Sequence, residues 1–189
     1  METANTYPVR LNIDYPEKLD KLSSFFRIFY AIPILIILSF LSESLFPAVL
    51  LMILFRQKYP KWWYDWNLAY YKFSMRVGSY LLLLRDEYPS TDEEQAVHLE
   101  IDYPDVSKDL NRWMPLVKWL LAIPHFIVLS VLYIVVVIFW VIAWFSILFT
   151  GRYPKSMFEF VVGVLRWELR VNGYAIILVT DQYPPFSTR

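Results

Sequence analysis

NRWMPLVKWLLAIPHFIVLSVLYIVVVIFWVIAWFSILFTG, from Asn111 to Gly151, decides how the rest of the chain is read. Between Trp119 and Gly151 it has no Lys, Arg, Asp or Glu. About 18 uncharged apolar residues in a row already suggest a bilayer span, and this run is longer. A membrane location is the first expectation.

Working outward, the composition agrees with a mixed molecule. Of 189 residues 57% are hydrophobic, 19% aromatic and 19% charged. That is too apolar for an ordinary soluble domain, yet too charged for a bundle confined to lipid. Lys plus Arg and Asp plus Glu stand at 18 each. The chain therefore lacks the basic excess with which nucleic-acid binders displace counterions from phosphate, and no nucleic-acid partner is expected. Without Cys it has no disulfide, thiolate metal site, Cys nucleophile or Cys acylation. The first apolar run begins near Ser24 behind several charges, with no small-residue cleavage pattern after it, and reads as a retained segment.

The chain repeats itself. VRLNIDYP at Val9 to Pro16 returns as VHLEIDYP at Val97 to Pro104, and the AIP at Ala31 to Pro33 returns at Ala122 to Pro124. Tyr59-Pro60-Lys61 returns as Tyr153-Pro154-Lys155, and Asp86 with Tyr88-Pro89 returns as Asp181 with Tyr183-Pro184. Four anchors in one order mark a duplication, with copies at 7–90 and 96–187. Seven of the 12 prolines follow a Tyr, and these Tyr-Pro pairs punctuate both copies because X-Pro disfavours helix continuation.

Each unit opens on alternating apolar and polar residues, VRLNI or VHLEI, the period of a strand with one covered face. A polar stretch follows, ending in Arg27 or Lys118 six residues before the proline of the AIP, where a cation can snorkel to headgroups. All 18 Lys and Arg lie outside Ile28 to Phe55 and Trp119 to Gly151. If each apolar run is a helical hairpin, every cation falls on one side of the membrane, a clean positive-inside asymmetry. The expectation is four membrane helices with both termini cytoplasmic; the alternative is one long tilted helix per copy. Glu43, beside Ser42 and Ser44, reads as a hairpin tip.

After the second Tyr-Pro, Trp62, Trp63, Trp66, Tyr70, Phe73 and Val77 share one side of a helix. A second apolar row holds Leu68, Tyr71 and Met75. Copy two matches them with Met157, Phe160, Val164, Trp167 and Val171, then Val162, Leu165 and Leu169. Two rows imply two apolar neighbours, so this helix is expected at the membrane surface under a small sheet. Each copy closes on a strand-like run, Tyr80 to Leu84 or Tyr174 to Val179. The expected fold is a membrane α+β protein built from a duplicated unit of strand, membrane hairpin, amphipathic helix and strand, sharing a four-stranded sheet.

The IDYP turns, Arg152-Tyr153-Pro154, FVVGVLRWELRVNGYA at Phe160 to Ala175 and TDQYPPFS at Thr180 to Ser187 resemble the prokaryotic membrane proteins grouped as domain-of-unknown-function family 4389. The resemblance runs from about Tyr7 to Ser187 and is strongest in copy two. Copy one departs from it at Arg56-Gln57-Lys58-Tyr59-Pro60 and at Gly78-Ser79. It implies a prokaryotic membrane protein and no assigned activity.

Few residues invite chemistry. His125 is the only titratable side chain in the long apolar run apart from tyrosine, and it reads as a structural imidazole bonded to carbonyls freed by Pro124, against a proton relay that would need partners. Lys72, Arg76, Arg166 and Arg170 are candidate ligands for an anionic lipid headgroup, or else the solvated edge of an interfacial helix. Trp62, Trp63, Trp66, Trp113, Trp119 and Trp167 read as an interfacial aromatic belt. GxSxG, a glycine-rich phosphate loop and HExxH are absent. The expected protein is a non-enzymatic accessory or scaffold subunit of the prokaryotic inner membrane, without metal or cofactor, whose partners are lipids, other subunits or itself. The alternative is a lipid-binding or small-solute transport protein with a site between the two halves.

Overall fold

The computed structural model describes residues 7–42 and 45–189. In chain order they form β1 (Val9–Ile13), α1 (Lys21–Ser42), α2 (Leu45–Leu51, continued by a wide π turn over Met52–Arg56) and α3 (Lys61–Leu81). Copy two follows as β2 (Val97–Ile101), the short α4 (Val106–Asp109) and α5 (Pro115–Leu121), then α6 (Ile123–Thr150) and α7 (Lys155–Ala175). Glu43 lies outside the described residues.

Among the described residues the sheet has two strands. β1 and β2 pair antiparallel from Val9 opposite Ile101 to Ile13 opposite Val97. Their alternation is obeyed: Val9, Leu11, Ile13, Val97, Leu99 and Ile101 are buried, while Arg10 on the outer face pairs with Glu100 at 3.2 Å and Asp102 at 2.7 Å. The four-stranded sheet does not form. Tyr80 and Leu81 are the last residues of α3, and Tyr174 and Ala175 those of α7. The chain then reverses through Leu83 (φ 65°) and Leu178 (φ 60°), both in the left-handed region. A strand-like apolar run here reports burial, because Leu83, Leu84, Leu178 and Val179 fill the core as turns.

The four membrane helices are likewise corrected to two, among the described residues, that are long and apolar enough to cross a membrane, Lys21–Leu41 and Ile123–Thr150. Copy two contains no hairpin, because α6 is one unbroken helix of 28 residues. It closes on Gly151 (φ 71°), a left-handed cap that glycine adopts without steric cost. Gln57 (φ 46°) takes the matching position in copy one.

The elements stack in three layers. α6 rests on α7: the Phe139 and Phe160 rings meet edge to face at 5.2 Å, and His125 touches Trp167. On the far side of α7 lies β1, with Val9 against Gly173, Leu11 O accepting from Arg166 Nε at 3.0 Å, and Tyr15 edge-on to Phe158. Copy one repeats the order: Ala31 and Ile34 of α1 pack on Phe73, Val77 and Tyr80 of α3, and Tyr64 of α3 donates to Ile101 O of β2. Each strand therefore covers the other copy's helix, and the halves are interlocked. The ends are tied reciprocally, Lys21 Nζ reaching Phe149 O at 3.1 Å and Arg112 Nε reaching Leu54 O at 2.5 Å.

Candidate functional site

The most concentrated polar chemistry among the described residues is a cluster that occurs twice, at the start of each apolar run. In copy one Arg27 of α1 is 2% exposed. Its guanidinium pairs with the Asp86 carboxylate, and Nη1 donates to Tyr80 O at 3.0 Å and Arg85 O at 2.9 Å. It lies 4.6 Å over the Tyr80 ring, whose edge meets Tyr88. The other Asp86 oxygen accepts from Asp20 N at the head of α1.

Copy two builds the same cluster from Lys118 of α5, which is 0% exposed. Its Nζ lies 2.7 Å from Asp181 Oδ1, donates to Thr180 O at 2.7 Å, and stands 5.1 Å from the Tyr174 ring, which meets Tyr183. Asp181 Oδ2 accepts from Asn111 N at 2.6 Å. Neither cation snorkels. Each is drawn inward to fasten the head of an apolar helix to the turn after the amphipathic helix. Burial pushes the Lys118 ammonium below its ordinary value, and Asp181 opposes that shift. Removing one partner from such a pair leaves an uncompensated buried charge, at a cost of about 3–5 kcal/mol.

The basic strip is divided by the fold. Arg166 donates to Leu11 O and, at 3.4 Å, to Thr188 O. Arg170 is buried and donates to Ser187 O. The C-terminal segment thus lies over this part of α7, where a Cβ at Gly163 would stand 2.6 Å from Thr188 O. Arg76 donates to Ser90 O at 2.6 Å, and with Lys72 it lines a shallow hollow shared with Glu94, His98 and Glu100. All four cations face the sheet side, away from the exposed apolar faces of α1 and α6.

His125 is fully buried in an aromatic cage. Its Nδ1 accepts from Trp167 Nε1 at 3.0 Å, so its partner is an indole and not a carbonyl freed by Pro124. Phe186 stacks on the imidazole at 3.9 Å and Tyr183 lies at 4.8 Å. In the tautomer that this bond requires, Nε2 carries the proton, and it has no hydrogen-bond partner among the described residues. Trp167, 5% exposed, therefore belongs to the core. Trp62, Trp66, Trp113 and Trp119 are exposed, and Trp63 meets Trp62 edge to face and stacks on Trp66.

Glu168 of α7 is the group that reading the sequence missed. It accepts from Tyr133 of α6, and burial pushes its carboxyl up while the Tyr133 and Asn172 hydrogen bonds hold it back. No motif marks it; only its place on the α6-facing side of α7 does. The paired clusters did leave a signal: a cation six residues before the proline of AIP and an Asp two residues before Tyr-Pro, in both copies. Among the described residues no group of three or more His, Asp or Glu is placed to hold a metal ion.

Neither a curated protein nor a solved structure matches this chain. The family described as a domain of unknown function, DUF4389, matches residues 21–91 and again 112–188, so that each match begins at or just before an apolar run, leaves out β1 and β2, and takes in one buried clamp. The chain belongs to that family and carries its domain twice.

Proposed function

We propose that the protein is a non-enzymatic accessory or scaffold subunit of the prokaryotic cytoplasmic membrane, working as a homo-oligomer or within a larger membrane complex. The observation that carries this reading is where the polar chemistry is committed. Arg27, Asp86, Lys118, Asp181, Arg166 and Arg170 all hold the chain to itself, while the broad exposed surface is the apolar face of α1 and α6. Such a molecule offers a surface to lipid and to other subunits. All 18 Lys and Arg lie outside the apolar runs, so where those runs do not cross the bilayer every cation and both termini stand on one face, which the positive-inside rule makes cytoplasmic.

Native mass spectrometry of the particle, extracted from its own membrane into nanodiscs, tests this. Several copies of the chain, or a foreign subunit in fixed ratio, is the expected result. A lone chain without companions overturns the subunit reading, and so does substrate turnover abolished by one point substitution.

A second reading, lipid or small-solute handling, is favoured by a groove of about 350 Å³ between the halves. Phe25, Ile28, Leu81, Trp140 and Trp144 wall it, and Arg27 lies at its edge. A lipid that copurifies with the chain and is lost in Val141→Trp, which fills the groove, would decide for this role.

A further inference from the structure

We infer that α1 and α6 lie in the plane of one leaflet and do not cross the bilayer, so that the molecule is monotopic, with its apolar face in phospholipid and its sheet in water. This rests on the reading above that the apolar face meets lipid.

The argument starts from the stacking. α6 is an unbroken rod of 28 residues, about 42 Å long. It follows α7 antiparallel over much of its length, His125 against Trp167 near one end and Phe139 against Phe160 farther along. β1 follows the opposite side of α7, at Gly173, Arg166 and Phe158 in turn. Rod, helix and strand are thus parallel layers. Standing α6 upright across a bilayer would stand the sheet upright beside it.

The sheet cannot go there. Its outer face carries Arg10, Glu100 and Asp102 in exposed ion pairs, with Asp14 paired to His98 beside them. Charged groups at the bilayer centre cost several kcal/mol each, and hydrocarbon offers nothing to the unpaired edges of a two-stranded sheet. Laid flat, the same molecule satisfies every layer. Ile127, Ile134, Val137 and Phe145 along α6, and Phe29, Ile36 and Phe40 along α1, point away from the protein on exposed faces. Exposed Trp113 and Trp119 lie near the head of the second run, as indole rings do at headgroup level. The in-plane arrangement also keeps every cation on one side of the membrane, as the hairpins were expected to do.

The absence of cysteine makes the test clean. Single Cys substitutions at Ile123, Ile134 and Phe145, in full-length protein reconstituted into vesicles of phosphatidylethanolamine and phosphatidylglycerol, would carry a spin label whose depth is read by collisional relaxation. All three labels are expected at one shallow depth, about 5–10 Å below the headgroups. They are expected to face one leaflet only. A crossing helix instead puts the Ile134 label deepest, near the middle of a hydrocarbon core of about 30 Å, and the other two toward opposite surfaces. That pattern overturns the inference, including the case in which an oligomer encloses its charged sheets around water. Polarised infrared dichroism of the unsubstituted protein in oriented bilayers is the second measurement, and it reads helix tilt without any label. Protein that stays off the vesicles, as a soluble dimer joined through its apolar faces, sinks the membrane reading as well. Bound protein with crossing helices sinks only the in-plane arrangement.

Discussion

Copy one clamps its apolar helix with an arginine and copy two with a lysine, and the difference runs through the shell around each cation. Arg27 keeps two backbone carbonyls besides Asp86, whereas Lys118 keeps one besides Asp181. An arginine stays charged whatever surrounds it, while a buried lysine can release its proton. The same joint is therefore rigid in charge on one side of the molecule and titratable on the other. What both copies retain is the attachment of helix head to turn.

Replacing the carboxylates breaks this comparison most severely. Asp86→Asn and Asp181→Asn are each expected to cost about 3–5 kcal/mol of stability near neutral pH. They separate as the pH rises. Burial already holds Lys118 below its ordinary value, and without Asp181 nothing opposes that shift. Between the lowered folded value and the ordinary lysine value the unfolded chain binds more protons than the folded one, so stability climbs with pH. Thermal unfolding in detergent from neutral to alkaline pH should show Asp181→Asn recovering relative to Asp86→Asn. Parallel losses at all pH values would mean that Lys118 remains charged without its partner.

Two turns further along, the copies diverge in polarity. His125 and Trp167 in copy two occupy the places of Ile34 and Phe73 in copy one, which belong to the same apolar cluster. Trp167→Phe removes the donor from a buried imidazole and is expected to cost about 1–3 kcal/mol. Adding His125→Ile converts the pair to its copy-one form, and part of that loss should return. A double-mutant cycle reads the coupling directly. Strict additivity would show that the indole matters for packing alone.

The caps offer a smaller contrast. Gln57 and Gly151 both close an apolar segment in the left-handed region, where a side chain costs about 1 kcal/mol. Gln57→Gly should therefore stabilise by up to about 1 kcal/mol and Gly151→Gln destabilise by a similar amount, compared in one melting series. Equal and negligible effects would mean that the strain is relieved elsewhere in the turn.

These contrasts show which parts of the fold the sequence made legible. The repeat, both strands of the sheet and both amphipathic helices follow from periodicity, because period two and the helical period each leave a pattern in which residues are apolar. Partners leave no such pattern. Leu83 and Leu178 look like strand residues since they are apolar, and only the backbone shows them turning. Counting cations is blind in a related way: a hairpin and a helix lying flat both return the chain to the side it left. The clamps are visible as recurring residues, but Asp86 and Asp181 stand two residues before Tyr-Pro and read as part of that punctuation. Trp167 reads as part of the belt because tryptophan is common there, although its row on α7 faces α6.

Glu168 tests the finest difference between the halves, since copy one carries Ser74 at the matching place. Burial raises the folded-state pKa of Glu168, with the Tyr133 and Asn172 hydrogen bonds acting against the rise. A raised carboxyl binds more protons in the folded chain than in the unfolded one, so its contribution is favourable below the ordinary glutamate range and is lost as pH climbs through the raised value. Glu168→Gln keeps an oxygen for the Tyr133 hydroxyl and removes the charge. Its melting temperature should match that of the parent near pH 4 and exceed it near pH 8, by the equivalent of no more than about 1 kcal/mol. If the substitution instead destabilises more at the higher pH, the two hydrogen bonds outweigh burial. Glu168 would then be a held anion between α6 and α7, and copy two would differ from copy one by a buried charge that contributes to its packing.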